Sequence, residues 1–303
     1  MDSAFPVIVG PTASGKTQLG LEFAGKYNGE IISIDSRQVY LQLTVGTAKP
    51  VGLWKKSIYW VGDIPYHLVD FLNPTDSFSA AQFVHLAENA IGDIRARGKI
   101  PIFVGGTGFY FKALRDGLAP MPPADAAVRE ELRLLAEKEG RPYLHALLAR
   151  TDPEAAQKIP FNNIHRVIRA LEVYRLTGKP LTQWHAEHQS ALKRKVPTHR
   201  FKLIGLDPGI QELTRRIEHR CAMMLKQGMI EETSAALKAG VPENSPGLSG
   251  LGYPRIVSYL KGTFSKAELL RYLIQDTRQY AKRQRTWFKT QLEVEWNTDV
   301  TPA

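Results

Sequence analysis

The 303-residue chain has a single cysteine, Cys221. It cannot form an internal disulfide, and without a second cysteine there is no CxxC pair, so a cysteine-built zinc site is excluded. No apolar run approaches the roughly 20 residues that cross a bilayer. The start, "MDSAFPVIVG", lacks the basic segment, apolar core and cleavage site of a secretory leader. Cytoplasm is therefore the expected compartment, with no membrane contact. Internal repeats and low-complexity tracts are also missing, which excludes solenoids and fibrous classes. Acid is in short supply: 30 Asp+Glu stand against 40 Lys+Arg, a formal net charge of +10. That surplus suits a polyanion partner, although solubility alone also produces it. With 43% hydrophobic residues the chain can bury a normal core. Its length fits one large domain, or a core with a second, smaller one.

Strands and helices alternate through the first third. "FPVIV" (5–9) reads as a buried strand, and Leu19, Phe23 and Tyr27 recur at helical spacing after it. "EIISI" (30–34) is a second strand. A helix follows over 77–97, with Ser79 as its cap and Phe83, Leu86, Ala90 and Ile94 as its apolar stripe. "IPIFVGG" (100–106) is a third strand. This order predicts an α/β core, a parallel sheet flanked by helices. The pattern changes at the proline-rich "APMPPAD" (119–125), read as a hinge. Helical segments then succeed one another over 125–139, 143–150, 153–159, 163–177 and 180–191. "KRKVPTHR" (193–200) is a basic connector, "FKLIGLD" (201–207) returns to strand character, and the rest is mainly helical. The expected organisation is a core of 1–118 and 200–303, with an all-helical insertion at 119–199.

Between the first strand and helix lies "GPTASGKT" (10–17), which fits G-x-x-x-x-G-K-[ST]. The residues Gly10, Pro11, Thr12, Ala13, Ser14, Gly15, Lys16 and Thr17 thus form a P-loop, the phosphate cradle of NTPase-like folds. Its glycines let backbone N–H groups point inward, Lys16 neutralises phosphate charge, and the Thr17 hydroxyl can ligate Mg²⁺. The loop leaves the chemistry open. Phosphate-loop motors carry an apolar strand ending in an Asp that holds the metal shell. Here "IPIFV" ends in Gly105-Gly106-Thr107 instead, while "IISI" ends in Asp35. Asp35 is then a metal-shell acid, a base facing the substrate, or a cap on the next turn. A small-molecule kinase, with the insertion as a lid, is one reading of this sequence. An RNA-binding protein with a degenerate nucleotide site is another, and the intact Gly15-Lys16-Thr17 speaks against it. Near the end, Arg271, Arg278, Lys282, Arg285 and Lys289 fall within about 60° of one another on a helical wheel. This basic stripe suits a helix packed on the core and touching phosphates.

"GPTASGKT", "IISIDSRQVY", "VGTAKP", "PYHLVDFLNP", "VGGTGFYFKAL", "HRVIRALEVYRLTGKP" and "QYAKRQRTWF" occur in this order. Together they resemble the bacterial tRNA dimethylallyltransferases, also called tRNA isopentenyltransferases or the IPP transferase family, over nearly the whole chain. The resemblance implies transfer of a dimethylallyl group from dimethylallyl diphosphate to the N6 amine of the adenosine just 3′ of the anticodon. The loop would then grip a diphosphate leaving group in the presence of Mg²⁺. A related enzyme, adenylate isopentenyltransferase, uses a similar core on AMP, ADP or ATP, so nucleotide binding at the loop is a further expectation.

By the same resemblance Asp35 is the base and Thr107 lies near the reacting amine. Arg216 and Arg220, four apart in "TRRIEHRC", join Lys16 on the diphosphate. Contacts to the tRNA anticodon stem-loop fall to Asp35, Ser36, Arg37, Gln38 and Thr107 in the core. In the insertion they fall to Arg129 and the run His165, Arg166, Val167, Ile168 and Arg169, where the family usually has Gln-Arg in place of His165-Arg166. A last run comprises Gly252, Tyr253 and Arg255. There Pro254 stands where the family carries a basic or polar residue, and the proline is expected to end local helix. The chain is expected to act as a monomer.

Overall fold

The computed structural model describes residues 4–192 and 198–297. Five residues of the predicted basic connector, 193–197, lie outside the described residues. β1 (Phe5–Val9) feeds the phosphate loop and α1 (Lys16–Lys26), and β2 (Gly29–Ile34) follows. Next come β3 (Leu53–Lys55), β4 (Ile58–Val61) and β5 (Ile64–His67), then α2 (Ala80–Ala96), β6 (Ile100–Gly105) and α3 (Gly108–Asp116). Five helices succeed one another without a strand: α4 (Ala126–Glu139), α5 (Arg141–Thr151), α6 (Pro153–Lys158), α7 (Ile164–Thr177) and α8 (Leu181–Leu192). The described chain ends with β7 (Phe201–Leu206), α9 (Ile210–Lys226), α10 (Met229–Lys238), α11 (Tyr253–Leu260), α12 (Lys266–Gln291) and β8 (Glu295–Asn297).

Two compact units result: Met1–Arg115 with Thr198–Ala303, and Asp116–Pro197. The first is built on one eight-stranded sheet of order β3-β4-β5-β2-β6-β1-β7-β8. Strands β5, β2, β6, β1, β7 and β8 run parallel, each to its neighbour. The expected parallel sheet carries an addition at one edge, where β3, β4 and β5 form an antiparallel meander. Its two-residue loops, Lys56-Ser57 and Gly62-Asp63, begin with positive φ at Lys56 (56°) and Gly62 (59°), as tight hairpins require.

The central strands are apolar throughout because both faces are covered. On one face Val7, Val9, Ile32, Ile34 and Phe103 pack with Phe83, Ile94, Phe111 and Phe288, from α2, α3 and α12. On the other, Ile8, Ile31, Ile102 and Val104 pack with Leu19 and Ala24 of α1. α2 starts at Ser79 as the sequence predicts, with a full capping box: the Ser79 hydroxyl accepts from Gln82 N–H, and the Gln82 side chain accepts from Ser79 N–H. The strand carboxyl ends and the loops after them gather at one edge of the sheet, which is where such folds place ligands.

The helical unit is organised around Leu132, Leu144, Leu148, Val167, Ile168 and Leu171. The proline-rich 119–125, read as a hinge, is pinned to α7 within this unit: Pro122 O accepts from Arg169 (2.7 Å) and Asp125 N–H donates to Glu172 (2.7 Å).

Candidate active site

The phosphate loop is shaped by backbone conformations that its sequence allows. Gly15 adopts φ 97° at the start of α1, a region that favours glycine. A Cβ on Gly10 would lie 2.6 Å from Leu206 O, so only glycine lets the loop pass β7. Lys16 Nζ donates to Pro11 O at 3.2 Å. Burial, and then the neighbouring Arg220, push the Lys16 ammonium down to about 8, against an opposing pull from Asp35. The Ser14 hydroxyl is buried with no hydrogen-bond partner among the described residues.

Lys16, Thr17 and Asp35 share one cavity of about 640 Å³, within the range typical of small-molecule sites. Asp35 stands just beyond β2. Its Oδ1 accepts from Arg37 N–H (2.8 Å) and Gln38 N–H (3.2 Å), so the carboxylate caps the turn that follows. Capping was one of the roles the sequence left open, and it engages one oxygen only. Thr107 sits beside that turn, with its hydroxyl accepting from Ser36 N–H at 3.1 Å. Thr107 supports the wall of the cavity and does not line it.

The cavity also collects Arg220, from α9, and Arg283, from α12. Burial holds Arg220 below the usual arginine range, while Asp35 opposes that shift. Among the described residues no hydrogen bond or ion pair engages the Arg220 guanidinium. Arg216, one turn earlier, bonds Glu212 (2.6 Å) and Ser14 O (3.2 Å), and so braces the phosphate loop from behind.

Arg37 donates to Pro246 O (2.8 Å) and Ser249 Oγ (3.1 Å), and Gln38 to Ala48 O (3.1 Å), so both hold cavity-lining loops. Gly252 and Tyr253 line the same space. Tyr253 OH donates to Glu232, whose carboxylate also accepts three consecutive backbone N–H groups, Thr44, Val45 and Gly46, at 2.6–3.0 Å. One carboxylate thus ties three segments together. Pro254 lies in the first turn of α11, where its missing N–H costs nothing. The expectation that it ends local helix is corrected: it begins one. Arg255 does not line the cavity; it pairs with Asp276 (2.7 Å) and stacks over Tyr272.

The residues expected on RNA in the insertion fall into two groups. His165 and Arg166 are exposed at the start of α7. Arg129 and Arg169 both bond Glu172, at 2.9 and 2.6 Å. Val167 and Ile168 are corrected: their side chains are buried in the helical core, 0% and 9% exposed, and pack there instead of reaching a ligand. The basic stripe on α12 is likewise divided. Arg278 and Lys282 are exposed, but Arg285 and Lys289 are held by the Asp207 carboxylate at the end of β7 (2.7 and 3.0 Å).

Sequence reasoning missed Arg283, Glu232 and Gln284. Gln284 had a signal. Leu269, Leu273, Thr277, Ala281, Gln284 and Phe288 form the buried stripe of α12, and a glutamine among them needs partners.

The family model for IPP transferase matches residues 38–291, and that for isopentenyl transferase matches residues 4–56. A tRNA dimethylallyltransferase of Elusimicrobium minutum is 43% identical over 93% of this chain and 90% of its own length. One of Acetivibrio thermocellus is 42% identical over 96% and 90%. The fold resembles the tRNA isopentenylpyrophosphate transferase of Staphylococcus epidermidis, with TM-score 0.68, 37% identity and coverage of 99% and 95%. It also resembles a eukaryotic dimethylallyltransferase acting on tRNA, with TM-score 0.74, 26% identity and coverage of 99% and 75%. Matches of this extent, running through sheet, phosphate loop and helical unit alike, establish that the chain belongs to the IPP transferase family, that of the tRNA dimethylallyltransferases.

Proposed function

We propose that this chain transfers a dimethylallyl group from dimethylallyl diphosphate to the N6 amine of the adenosine immediately 3′ of the anticodon in tRNA. One observation carries the reading. The cavity joins a carboxylate with one oxygen not engaged among the described residues, Asp35, to Lys16 of the phosphate loop and Arg220 of α9. That is an acid–base wall facing an anion wall.

The chemistry follows from the two walls. The adenine amine attacks C1 of the allyl group as the C–O bond to diphosphate breaks. The nitrogen must shed a proton, and the second Asp35 oxygen accepts it. Negative charge grows on the departing diphosphate, where Lys16, Arg220 and the loop amides stabilise it. Thr107 and Ser36 hold the Asp35 turn in place. Closing the cavity to water limits loss of the donor by hydrolysis.

Magnesium suits this donor set. Among the described residues no three His, Cys, Asp or Glu side chains gather as a metal cage. Magnesium accepts few protein ligands when substrate phosphates supply the rest. The Thr17 hydroxyl, in the cavity and without a hydrogen bond among the described residues, would hold it. There it would neutralise diphosphate charge. The same loop accommodates a nucleotide phosphate.

Reaching a stacked base means extruding it, at a cost of a few kcal/mol. Exposed His165, Arg166, Arg278 and Lys282 are the residues on which we place the RNA backbone. We assign Arg129, Arg169 and Arg255 to bracing, and we place the protein in the cytoplasm as a monomer.

Incubation with labelled dimethylallyl diphosphate and total tRNA tests the reading. Label should enter RNA and, after nuclease digestion, co-migrate with N6-(dimethylallyl)adenosine from the position 3′ of the anticodon. Absence of RNA label, with transfer of γ-phosphate from ATP to a small acceptor, would establish the kinase reading instead.

A further inference from the structure

We propose that Gln284 is a positioning residue for the transfer. It holds the phosphate loop and the glycine turn after β6 at a fixed spacing, so that the leaving diphosphate and the accepting base meet in line. The proposal rests on the reaction assigned above. β1 and β6 are neighbours in the sheet, with Val9 paired to Gly105 at the end of their ladder. Beyond that pair the two chains separate. One becomes the phosphate loop; the other turns through Gly106 to Thr107, which supports the Asp35 turn. Gln284, buried on α12, spans the gap. Its Oε1 accepts Thr12 N–H at 2.8 Å, and its Nε2 donates to Gly106 O at 2.9 Å.

The two partners dictate the residue type. An acceptor is needed at one end and a donor at the other, on a side chain of this reach. Glutamate has no donor, methionine has neither strong group, and lysine and arginine have no acceptor. Gly106 shows how tightly the amide fits: a Cβ there would lie 2.4 Å from Gln284 Nε2. The helix is also anchored one residue further on. Arg285 grips Asp207 just after β7, and β7 itself presses on Gly10 through Leu206 O. Tyr280 and Arg283 of the same helix line the cavity. Loop, glycine turn and cavity wall are therefore registered through one amide. A misplacement of about 1 Å between reacting groups can cost on the order of 100-fold in rate. It also leaves the activated donor open to water.

The test compares Gln284→Glu and Gln284→Met with wild type in single turnovers saturated in both substrates. Donor consumed by hydrolysis is measured beside donor transferred. Transfer should fall by about 10- to 100-fold. The hydrolysed share should rise, while affinities for tRNA and for inorganic diphosphate stay within a few-fold. A purely structural role would lower transfer and hydrolysis together. Gly106→Ala supplies a second arm: it should be harmful in the wild type and well tolerated in Gln284→Ala, whose missing side chain leaves room for the new methyl. Near-wild-type transfer by Gln284→Met, an unchanged hydrolysed share, or equal harm from Gly106→Ala in both backgrounds overturns the proposal. So does melting of every variant below the assay temperature, which would make Gln284 a core residue only. If the wild type labels no tRNA, the assigned reaction fails instead. The coupling of positions 106 and 284, read as melting temperature in the same double-mutant cycle, still judges the clamp.

Discussion

In the helical unit the buried carboxylate of Glu172 is saturated: Arg129, Arg169 and the Asp125 N–H all bond it. Burial alone would raise its pKa, but these partners hold it below the usual carboxylate range. In the core cavity the ratio is inverted. Lys16, Arg220 and Arg283 surround a single carboxylate, Asp35, and its Oδ1 is already taken by two backbone N–H groups. The first arrangement satisfies its own charges and holds helices together. The second leaves the half-buried Arg220 guanidinium with no hydrogen bond or ion pair among the described residues, and such charge is costly to bury unless an anion completes it. Two clusters of similar composition are thus a brace in one unit and, as we propose, an anion site in the other.

The largest expected effect strikes the cavity side of this comparison. Asp35→Asn keeps an oxygen to cap the turn but cannot take a proton, and general-base loss typically costs about 10²–10⁴ in rate. Single-turnover transfer should fall by that factor with the melting temperature nearly unchanged. Restoration by excess Mg²⁺ would make Asp35 a metal-shell acid. Near-wild-type transfer would reduce it to the cap alone. Next comes Lys16→Ala, for which loss of one transition-state charge contact typically costs about 3–4 kcal/mol. Its affinity for tRNA, by filter binding, should stay within a few-fold; collapse of that affinity in folded protein would merge two functions that we separate.

On the brace side, Glu172→Ala strands two arginines. We expect about 3 kcal/mol of destabilisation, the low end for a broken buried pair because both guanidinium groups reach solvent. Hydrogen exchange should accelerate in α4 and α7 and stay unchanged in β1 and β6. A uniform change across both units would deny that the brace is local.

A smaller effect follows from Lys16 itself. Its folded pKa of about 8 lies below the ordinary 10.5, so the charge to which we assign diphosphate binding is present below pH 8 and lost above it. kcat/KM for the donor should then fall about tenfold per pH step above 8, and Lys16→Arg, charged throughout, should lack that limb. By linkage, the unfolded chain binds the extra proton between 8 and 10.5, so this group's contribution to stability rises with pH across that window. The smallest effect concerns the divided stripe on α12. Arg278→Ala and Lys282→Ala should each lower the log–log salt slope of tRNA binding by about one. Arg285→Ala, already paired to Asp207, should leave the slope alone. Equal slopes for all three would erase the distinction between paired and free cations.

The outline of the fold was legible in one dimension. β1, α1, β2, α2, β6 and the five insertion helices fall close to their predicted bounds because apolar periodicity, glycines and caps are local signals. The antiparallel edge escaped although Gly62-Asp63 is a hairpin signal, since β3 and β4 are short, β3 is exposed throughout and β4 is mostly half-buried, which gives little alternation to read. The phosphate loop and the candidacy of Asp35 were also legible, because motif and strand end are neighbours in sequence.

Pairing was not legible. A sequence counts arginines but does not say which carboxylate faces each one, so Arg129, Arg169, Arg255 and Arg285 read as surface for RNA until the fold gave them Glu172, Asp276 and Asp207. Val167 and Ile168 were drawn into a contact run by their neighbours, although helical spacing turns them inward. Gln284 and Thr12 are 272 residues apart, and Glu232 reaches back 188 residues to Thr44. Composition, local pattern and motif determined the elements, the glycine-rich loop and the family. Tertiary structure alone decided which charges are spent on holding the protein together and which remain for a ligand, because that depends on distances between segments that no local rule relates.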